Sequence, residues 1–335
     1  MLPPVIRTLA IMSHGSCATL PWNTTLLEHQ PMRKFIIWLF IVILVLSGSI
    51  GYVFVNRATS ASSCTIASLT AQVGNSTLSY SQVGNGRRVL LLHGLFASKE
   101  QWNTIMCRLS EMGYRAIAPD LPGYGNSNGF TLRDYALENQ TTLLHELMEK
   151  LGIKSFDLAG SSMGGAIAWL YAQRYPNQVR SLAFIGSPLG IVDWANSFKE
   201  VIFQGINPFI PITKEQFALE INLLFFTPPT IPDSVIAEKV NDYITRNRHY
   251  QQVWDIINLY DDDILCQGVP TGFPILIIWG KEDKIYDISG ASRLQECIAG
   301  SGAIKLPKAG HLLLMENADE VASKYVGFLQ TARGR

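Results

Sequence analysis

Neither sign of charge prevails in this chain. Lys and Arg number 27, Asp and Glu number 27, and together they make up only 16% of 335 residues. Without a basic surplus no face can gather the phosphates of a nucleic acid, and that class of partner is excluded. Cysteine is scarce: Cys17, Cys64, Cys107, Cys266 and Cys297 are odd in number, scattered, and form no C-x-x-C or other metal spacing. They read as free thiols, buried or at the surface, which leaves the redox compartment open and offers no metal site. Histidine numbers only six, which narrows any search for a general base. No internal repeat or low-complexity tract occurs. The Gly-x-Gly at Gly123 and Gly125 has Asn128 where a third glycine should stand, so a dinucleotide-binding loop is ruled out.

Hydrophobic residues, at 47%, are ample for a core in a chain long enough for one large domain or two small ones. One run, residues 35–55, carries no charge and is apolar apart from Ser47, Gly48, Ser49 and Gly51. A bilayer takes about 20 residues to span, so the run is read as a transmembrane anchor. The alternative is a signal peptide cleaved near Ala58, Ser60 or Ala61, with secretion of the remainder. Arg33 and Lys34 before the run, against Arg57 after it, place the amino terminus in the cytoplasm and the bulk of the chain outside. Residues 1–34 are then an N-terminal extension, 35–55 the anchor or uncleaved signal, 56–64 a flexible tether, and 65–335 the folded domain.

From residue 65 strand-like and helix-like segments alternate, the pattern of an α/β fold. Strands are predicted at about 66–73, 77–83, 89–92, 115–118, 155–159, 181–185, 274–279 and 303–306, with helices near 98–112 and 131–151. The continuous apolar run Val89-Leu90-Leu91-Leu92 suits a central strand covered on both faces. Between about 190 and 255, after the sixth strand, the rhythm breaks into helical patterns with several prolines and many large apolar residues, Val201, Ile202, Phe203, Phe209, Ile210, Leu223, Leu224, Phe225 and Phe226 among them. This stretch is read as a helical cap, most of whose apolar residues form its own small core. The remainder would suit a substrate with a hydrocarbon tail.

The chemistry gathers around Gly160-Ser161-Ser162-Met163-Gly164-Gly165, a G-x-S-x-G turn with a strand before it and a helix after it. Such a turn strains the backbone of its central serine and demands tiny residues, here Gly160 and Gly164, on either side. Centring on Ser161 instead would put Met163 where a small residue is needed, so Ser162 is the expected nucleophile. The following helix aims its free N–H groups and positive dipole end at the place where an oxyanion forms. Of the histidines, His14 and His29 precede the apolar run, His145 lies in a helical pattern, and His249 reads as a solvated cap residue. His93 lies directly after a buried strand and before Gly94. His311, just past the last strand, remains as the base. The orienting carboxylate should fall between serine and histidine in chain order. Glu282, Asp283 and Asp287 are available, and Asp283, three residues after Gly280, is preferred; the other two read as surface or helix-capping groups. His93-Gly94-Leu95-Phe96 occupies the loop that supplies half of an oxyanion hole, from the N–H of Leu95, and Met163 supplies the other N–H. Asp261-Asp262-Asp263 has no histidine beside it and reads as a solvated turn.

With these pieces in order the chain resembles the α/β-hydrolases, in particular the monoacylglycerol lipase and esterase branch that includes membrane-anchored, capped members. The matching residues are His93-Gly94, Trp102, the turn at 120–127, Gly160-x-Ser162-Met163-Gly164-Gly165, Ile278-Trp279-Gly280-Lys281-x-Asp283, Asp287 to Ala291, and Gly310-His311 with Met315-Glu316, within about residues 80–330. The resemblance implies a mostly parallel eight-stranded sheet flanked by helices, with a helical cap inserted after the sixth strand. It also implies hydrolysis of carboxylic esters, monoacylglycerols or short- to medium-chain acyl esters, through acylation of Ser162 and release by a water activated at His311. No cofactor, metal or obligate protein partner is implied. Serine rather than aspartate at the elbow sets the chain apart from the dehalogenases and epoxide hydrolases of this fold. Two alternatives stand beside that reading: a carbon–carbon bond hydrolase, which uses the same triad and a similar Ser-Met-Gly-Gly elbow, and a non-catalytic binding module of the same fold.

Overall fold

Val89, Leu90, Leu91 and Leu92 are wholly buried, because the strand that carries them has helices packed on both faces. The strands are β1 (Ala67–Val73), β2 (Ser76–Val83), β3 (Arg87–Leu92), β4 (Tyr114–Pro119), β5 (Phe156–Gly160), β6 (Val179–Ile185), β7 (Ile275–Gly280) and β8 (Gly302–Leu306). They form one eight-stranded sheet in the order β1-β2-β4-β3-β5-β6-β7-β8. The pairs β1–β2 and β2–β4 are antiparallel and the others parallel. This computed structural model describes residues 64–260, 264–268 and 272–332. The apolar run at 35–55, Cys17 and the trio Asp261-Asp262-Asp263 lie outside the described residues, among which no helix is long and apolar enough to cross a membrane.

The helices are α1 (Asn103–Glu111), α2 (Leu137–Lys150), α3 (Met163–Arg174), α4 (Asn196–Phe203), α5 (Lys214–Leu224), α6 (Asp233–Thr245), α7 (Asn247–Ile257), α8 (Ser289–Cys297), α9 (Leu313–Glu316) and α10 (Ala318–Thr331). Side chains of a strand point alternately to its two faces. Val89 and Leu91 therefore join Ile105, Leu109, Val321 and Tyr325 of α1 and α10, whereas Leu90 and Leu92 join Leu144, Leu147 and Ile167 of α2 and α3. Each fully buried Leu or Ile contributes about 1.5–3 kcal/mol relative to exposure, so this doubly covered sheet carries most of the stability. Parallel strands also deliver all their carboxyl ends to one rim. His93, Ser161-Ser162, Ser187 and the loops holding Asp283 and His311 follow the ends of β3, β5, β6, β7 and β8 there.

The four helices α4 to α7 fill the interval between β6 and β7, the place expected for the cap. Phe203, one of the apolar residues of this stretch, is not part of the cap's core, for it ends α4 at 83% exposure. Two of the predicted helices are shorter than the pattern suggested. The first begins as a tight 3-10 turn at Lys99–Trp102 before α1. The second is broken at Ala136, because Thr131 and Asp134 form a capping box that closes a 3-10 turn at Leu132–Tyr135, and α2 then starts afresh.

The cysteines overturn the expectation of free thiols. Cys64 pairs with Cys107 on α1, and Cys266 with Cys297 at the end of α8, with Cα atoms 5.6 and 5.0 Å apart. The partners lie 43 and 31 residues apart in the chain, so only the packing of α1 and α8 brings them together and no local spacing announces them. Protein made under oxidising conditions, denatured and treated with iodoacetamide without reductant, will take label on one cysteine at most, and prior reduction will add four. Replacing Cys266 and Cys297 by Ala is expected to lower the unfolding free energy by about 2–4 kcal/mol in urea titrations. Labelling of all five without reductant would refute the pairing.

Candidate active site

Ser162 lies where β5 hands over to α3, with φ 52° and ψ −121°. A side chain in that left-handed region costs of order 1–3 kcal/mol and persists only where the surroundings impose it. Here they do. A Cβ at Gly160 would strike the backbone of Gly164 and Gly165, and one at Gly164 would strike the carbonyls of Leu92 and His93. The two glycines thus let helix and strand cross closely enough to push the serine outward. Ser161 N–H donates to Leu92 O at 3.0 Å, which buries Ser161 completely, while Ser162 faces a cavity of about 440 Å³. Met163 is the first residue of α3, so its N–H has no partner within the helix.

His311 lines the same cavity and is almost wholly buried. Its Nδ1 lies 3.0 Å from Asp283 Oδ2 and 2.9 Å from Ser187 Oγ, and Ser187 donates to the same Oδ2 at 2.6 Å. A carboxylate only accepts, so Nδ1 carries the hydrogen and Nε2 keeps its lone pair. Asp283 Oδ1 in turn accepts the N–H groups of Ile285 and Tyr286 at 2.8 and 3.1 Å. Four acceptor positions on this carboxylate are therefore in use, which fixes its plane and, through it, the imidazole.

Ser187 escaped the sequence reading, although its setting in Gly186-Ser187-Pro188 directly after β6 puts it on the same rim. Glu316 was noted without a role. Its carboxylate accepts from Gly310 N–H at 2.9 Å, Phe226 N–H at 3.1 Å and Thr227 N–H at 2.5 Å, and Leu312 N–H donates to Leu224 O at 3.0 Å. The loop carrying His311 is thereby bolted to the end of the cap helix α5. Glu282, expected to be a surface or capping group, accepts Ala309 N–H at 3.0 Å and so ties the Asp283 loop to the His311 loop. Asp287 stands just ahead of α8 at the surface and accepts Ser289 N–H at 2.9 Å, and that hydrogen bonding holds its carboxyl below the usual range.

Gly94 and Leu95 also line the cavity, and a Cβ on Gly94 would stand 3.3 Å from that of Ser162. His93 holds this loop from behind. Its Nε2 accepts Leu121 N–H at 2.9 Å, so Nδ1 is protonated and donates to Gly94 O at 2.8 Å. The ring is neutral: complete burial pushes its pKa down to about 4. Lys99 and Asp120 form a buried ion pair nearby, 2.7 Å apart, and Asp120 also accepts Lys99 N–H and Asn126 N–H at 2.9 and 3.0 Å. The turn at 120–127 is thus a structural clamp beside the loop.

Most of the rest of the lining is apolar. Phe209, Leu224 and Phe225 were among the residues anticipated, and Trp194, Phe217 and Ile221 join them. Among the described residues no group of His, Cys, Asp and Glu is arranged to hold a metal ion.

The family pattern described as alpha/beta hydrolase fold matches residues 87–207. Lipase 3 of Moraxella sp. (strain TA144) is 30% identical over 284 residues, 80% of this chain and 86% of that protein. Monoacylglycerol lipase ABHD6 of Bos taurus is 30% identical over 258 residues, 73% of this chain and 76% of that one. The crystal structure of a membrane phospholipase A, described as a bacterial virulence factor, superposes with a TM-score of 0.75 at 25% identity, covering 91% of this chain and all of that one. The chain belongs to the α/β-hydrolase family. It is a carboxylic ester hydrolase with lipase-like relatives.

In this α/β-hydrolase His249 is not the solvated residue expected. Its Nε2 donates to Gly123 O at 2.8 Å and its ring meets Tyr135 edge-on, so it pins α7 of the cap to the turn at 120–127. His145, as expected, is helical and structural, stacked 4.0 Å from the Tyr175 ring.

The neutral His93 leads to an acid sensitivity. The folded chain takes up this proton less readily than the unfolded chain, whose histidine titrates near the ordinary 6.5. The stabilisation is therefore complete above about pH 6.5 and is lost as pH falls towards 4, by on the order of 3 kcal/mol. Urea midpoints of the wild type and of His93→Gln at pH 7 and pH 4.5 will show it. The variant is less stable at pH 7, and the gap narrows in acid; a gap of constant size would count against the assignment.

Proposed function

We propose that this enzyme cleaves carboxylic esters of lipids, monoacylglycerols or short- to medium-chain acyl esters, with Ser162 as nucleophile, His311 as general base and acid, and Asp283 as its orienting carboxylate. The observation that carries this reading is that Ser162 and His311 both line one mainly apolar cavity of about 440 Å³, within the range of roughly 300–1,000 Å³ usual for small-molecule sites. As Ser162 Oγ attacks the ester carbonyl, His311 Nε2 takes its proton. The imidazolium so formed keeps its Nδ1–H towards Asp283, which stabilises the charge. Leu95 N–H and Met163 N–H receive the oxyanion, and one such donor is typically worth about 3–4 kcal/mol. Collapse expels the alcohol, which leaves with the proton from His311. Water then attacks the acyl-serine by the same route in reverse roles, and the acid departs. Ser187 helps hold His311 in its tautomer and contributes no proton of its own.

Purified protein incubated with p-nitrophenyl esters and a fluorophosphonate probe tests this reading. The probe should label Ser162, kcat/KM should rise from acetate to medium-chain esters, and Ser162→Ala should abolish labelling and lower kcat by about 10⁴-fold or more. Labelling without ester turnover would favour carbon–carbon bond cleavage, and turnover surviving in Ser162→Ala would reject the nucleophile.

The uncharged run at residues 35–55 anchors the enzyme in a membrane with its folded part on the non-cytoplasmic side. The two disulfides support that side, because such bonds persist in oxidising compartments. Alkaline carbonate should leave the full chain in the membrane pellet and release a chain that begins at residue 65. Release of both would exclude the anchor and favour a cleaved signal.

A further inference from the structure

Helix α5 turns Phe217, Glu220, Ile221 and Leu224 towards the cavity. That spacing is the apolar stripe of a helix lying on a hydrophobic site, and Glu220 stands within it. The side chain is 6% exposed. Its Oε1 accepts only a long hydrogen bond from Tyr243 O–H, at 3.4 Å, and its Oε2 has no partner among the described residues. Tyr243 lines the same cavity and meets the ring of Phe96, the neighbour of Leu95, edge-on at 6.4 Å. Pair and oxyanion loop are therefore adjacent. A half-paired buried carboxyl lowers stability, and a leucine at this position would fill the space without that cost. Its polarity serves something that enters the cavity.

The character of that guest follows from the carboxyl's own state. No cation pairs with Glu220 among the described residues, and Lys239 stands at the exposed rim of the cavity. Burial pushes the acid up to about 8, so at neutral pH it is mostly un-ionised, one O–H donor beside a free acceptor. A hydroxyl group, donor and acceptor at once, complements it. The alkyl part of a plain alkyl ester has neither donor nor acceptor to offer it. An anionic phosphate only accepts, so it could take the O–H but would give nothing to the carboxyl's acceptor oxygen.

We propose that Glu220 is the specificity-determining residue of this site, hydrogen bonding a free hydroxyl on the alcohol part of the substrate and so favouring uncharged monoesters of a polyol over esters of a plain alcohol. The inference rests on the ester-hydrolase site proposed above. The test compares kcat/KM for 1-decanoylglycerol and methyl decanoate in the wild type, Glu220→Leu and Glu220→Gln, with fluorophosphonate labelling of each protein. The ratio of the two constants is expected to fall about tenfold in Glu220→Leu, which corresponds to about 1.4 kcal/mol, and to stay within about threefold in Glu220→Gln, which keeps a donor and an acceptor. Glu220→Met replaces the Leu variant if the latter does not fold. A ratio that moves less than twofold in the Leu or Met variant, or falls equally with Gln, overturns the assignment. Absence of label in the wild type overturns instead the serine-hydrolase site, so the two failures are told apart.

Discussion

The close crossing of β5 and α3 is the constraint on which the rest of the structure depends. Gly160 and Gly164 allow two backbones to pass where any side chain would strike a carbonyl, and the chain between them has no room for an ordinary conformation. Ser162 takes up the strain at φ 52°, and the packing of a doubly covered sheet offsets it. The consequence is chemical. One hydroxyl stands out into a cavity beside the first N–H of a helix, while its neighbour Ser161 is turned inwards and buried.

The His311 ring that shares the cavity with this hydroxyl is held in place by hydrogen bonds between loops. Glu282 joins the Asp283 loop to the His311 loop, Glu316 joins the His311 loop to the cap, and Ser187 closes the space between carboxylate and imidazole. Such charge-assisted bonds to backbone N–H groups are among the stronger ones available. Since Glu316 grips both His311's loop and the segment after α5, the position of His311 and the shape of the cavity wall are not independent.

Two buried titratable groups are kept neutral near the site, and for one physical reason. Desolvation disfavours the charged form of each, lowering His93 and raising Glu220. They differ in how well they are satisfied. His93 uses both ring nitrogens on the backbone and so fixes the loop that offers Leu95 N–H. Glu220 keeps an oxygen free. A fully paired group serves the fold, and a half-paired one in a cavity wall points to a ligand.

Much of this was legible from the order of residues. Eight strands and the cap after the sixth follow from short-range signals, and a glycine-flanked serine with polar residues just past strand ends singles out Ser162, Asp283 and His311 as candidates. Parallel strands force those ends onto one rim, so local pattern and chain order suffice to bring the site residues into one region. What the sequence left open concerned partners distant in the chain. The pairing of Cys64 with Cys107 and Cys266 with Cys297, the placing of Ser187 against His311, 124 residues away, the grip of Glu316 on Phe226 and Thr227, and the half-paired carboxyl of Glu220 all depend on which surfaces come to face each other. Periodicity reports which side of an element is buried, and says nothing of what it is buried against. That second fact belongs to tertiary packing, and in this enzyme it decides how His311 is held and which polar groups stand in the cavity wall.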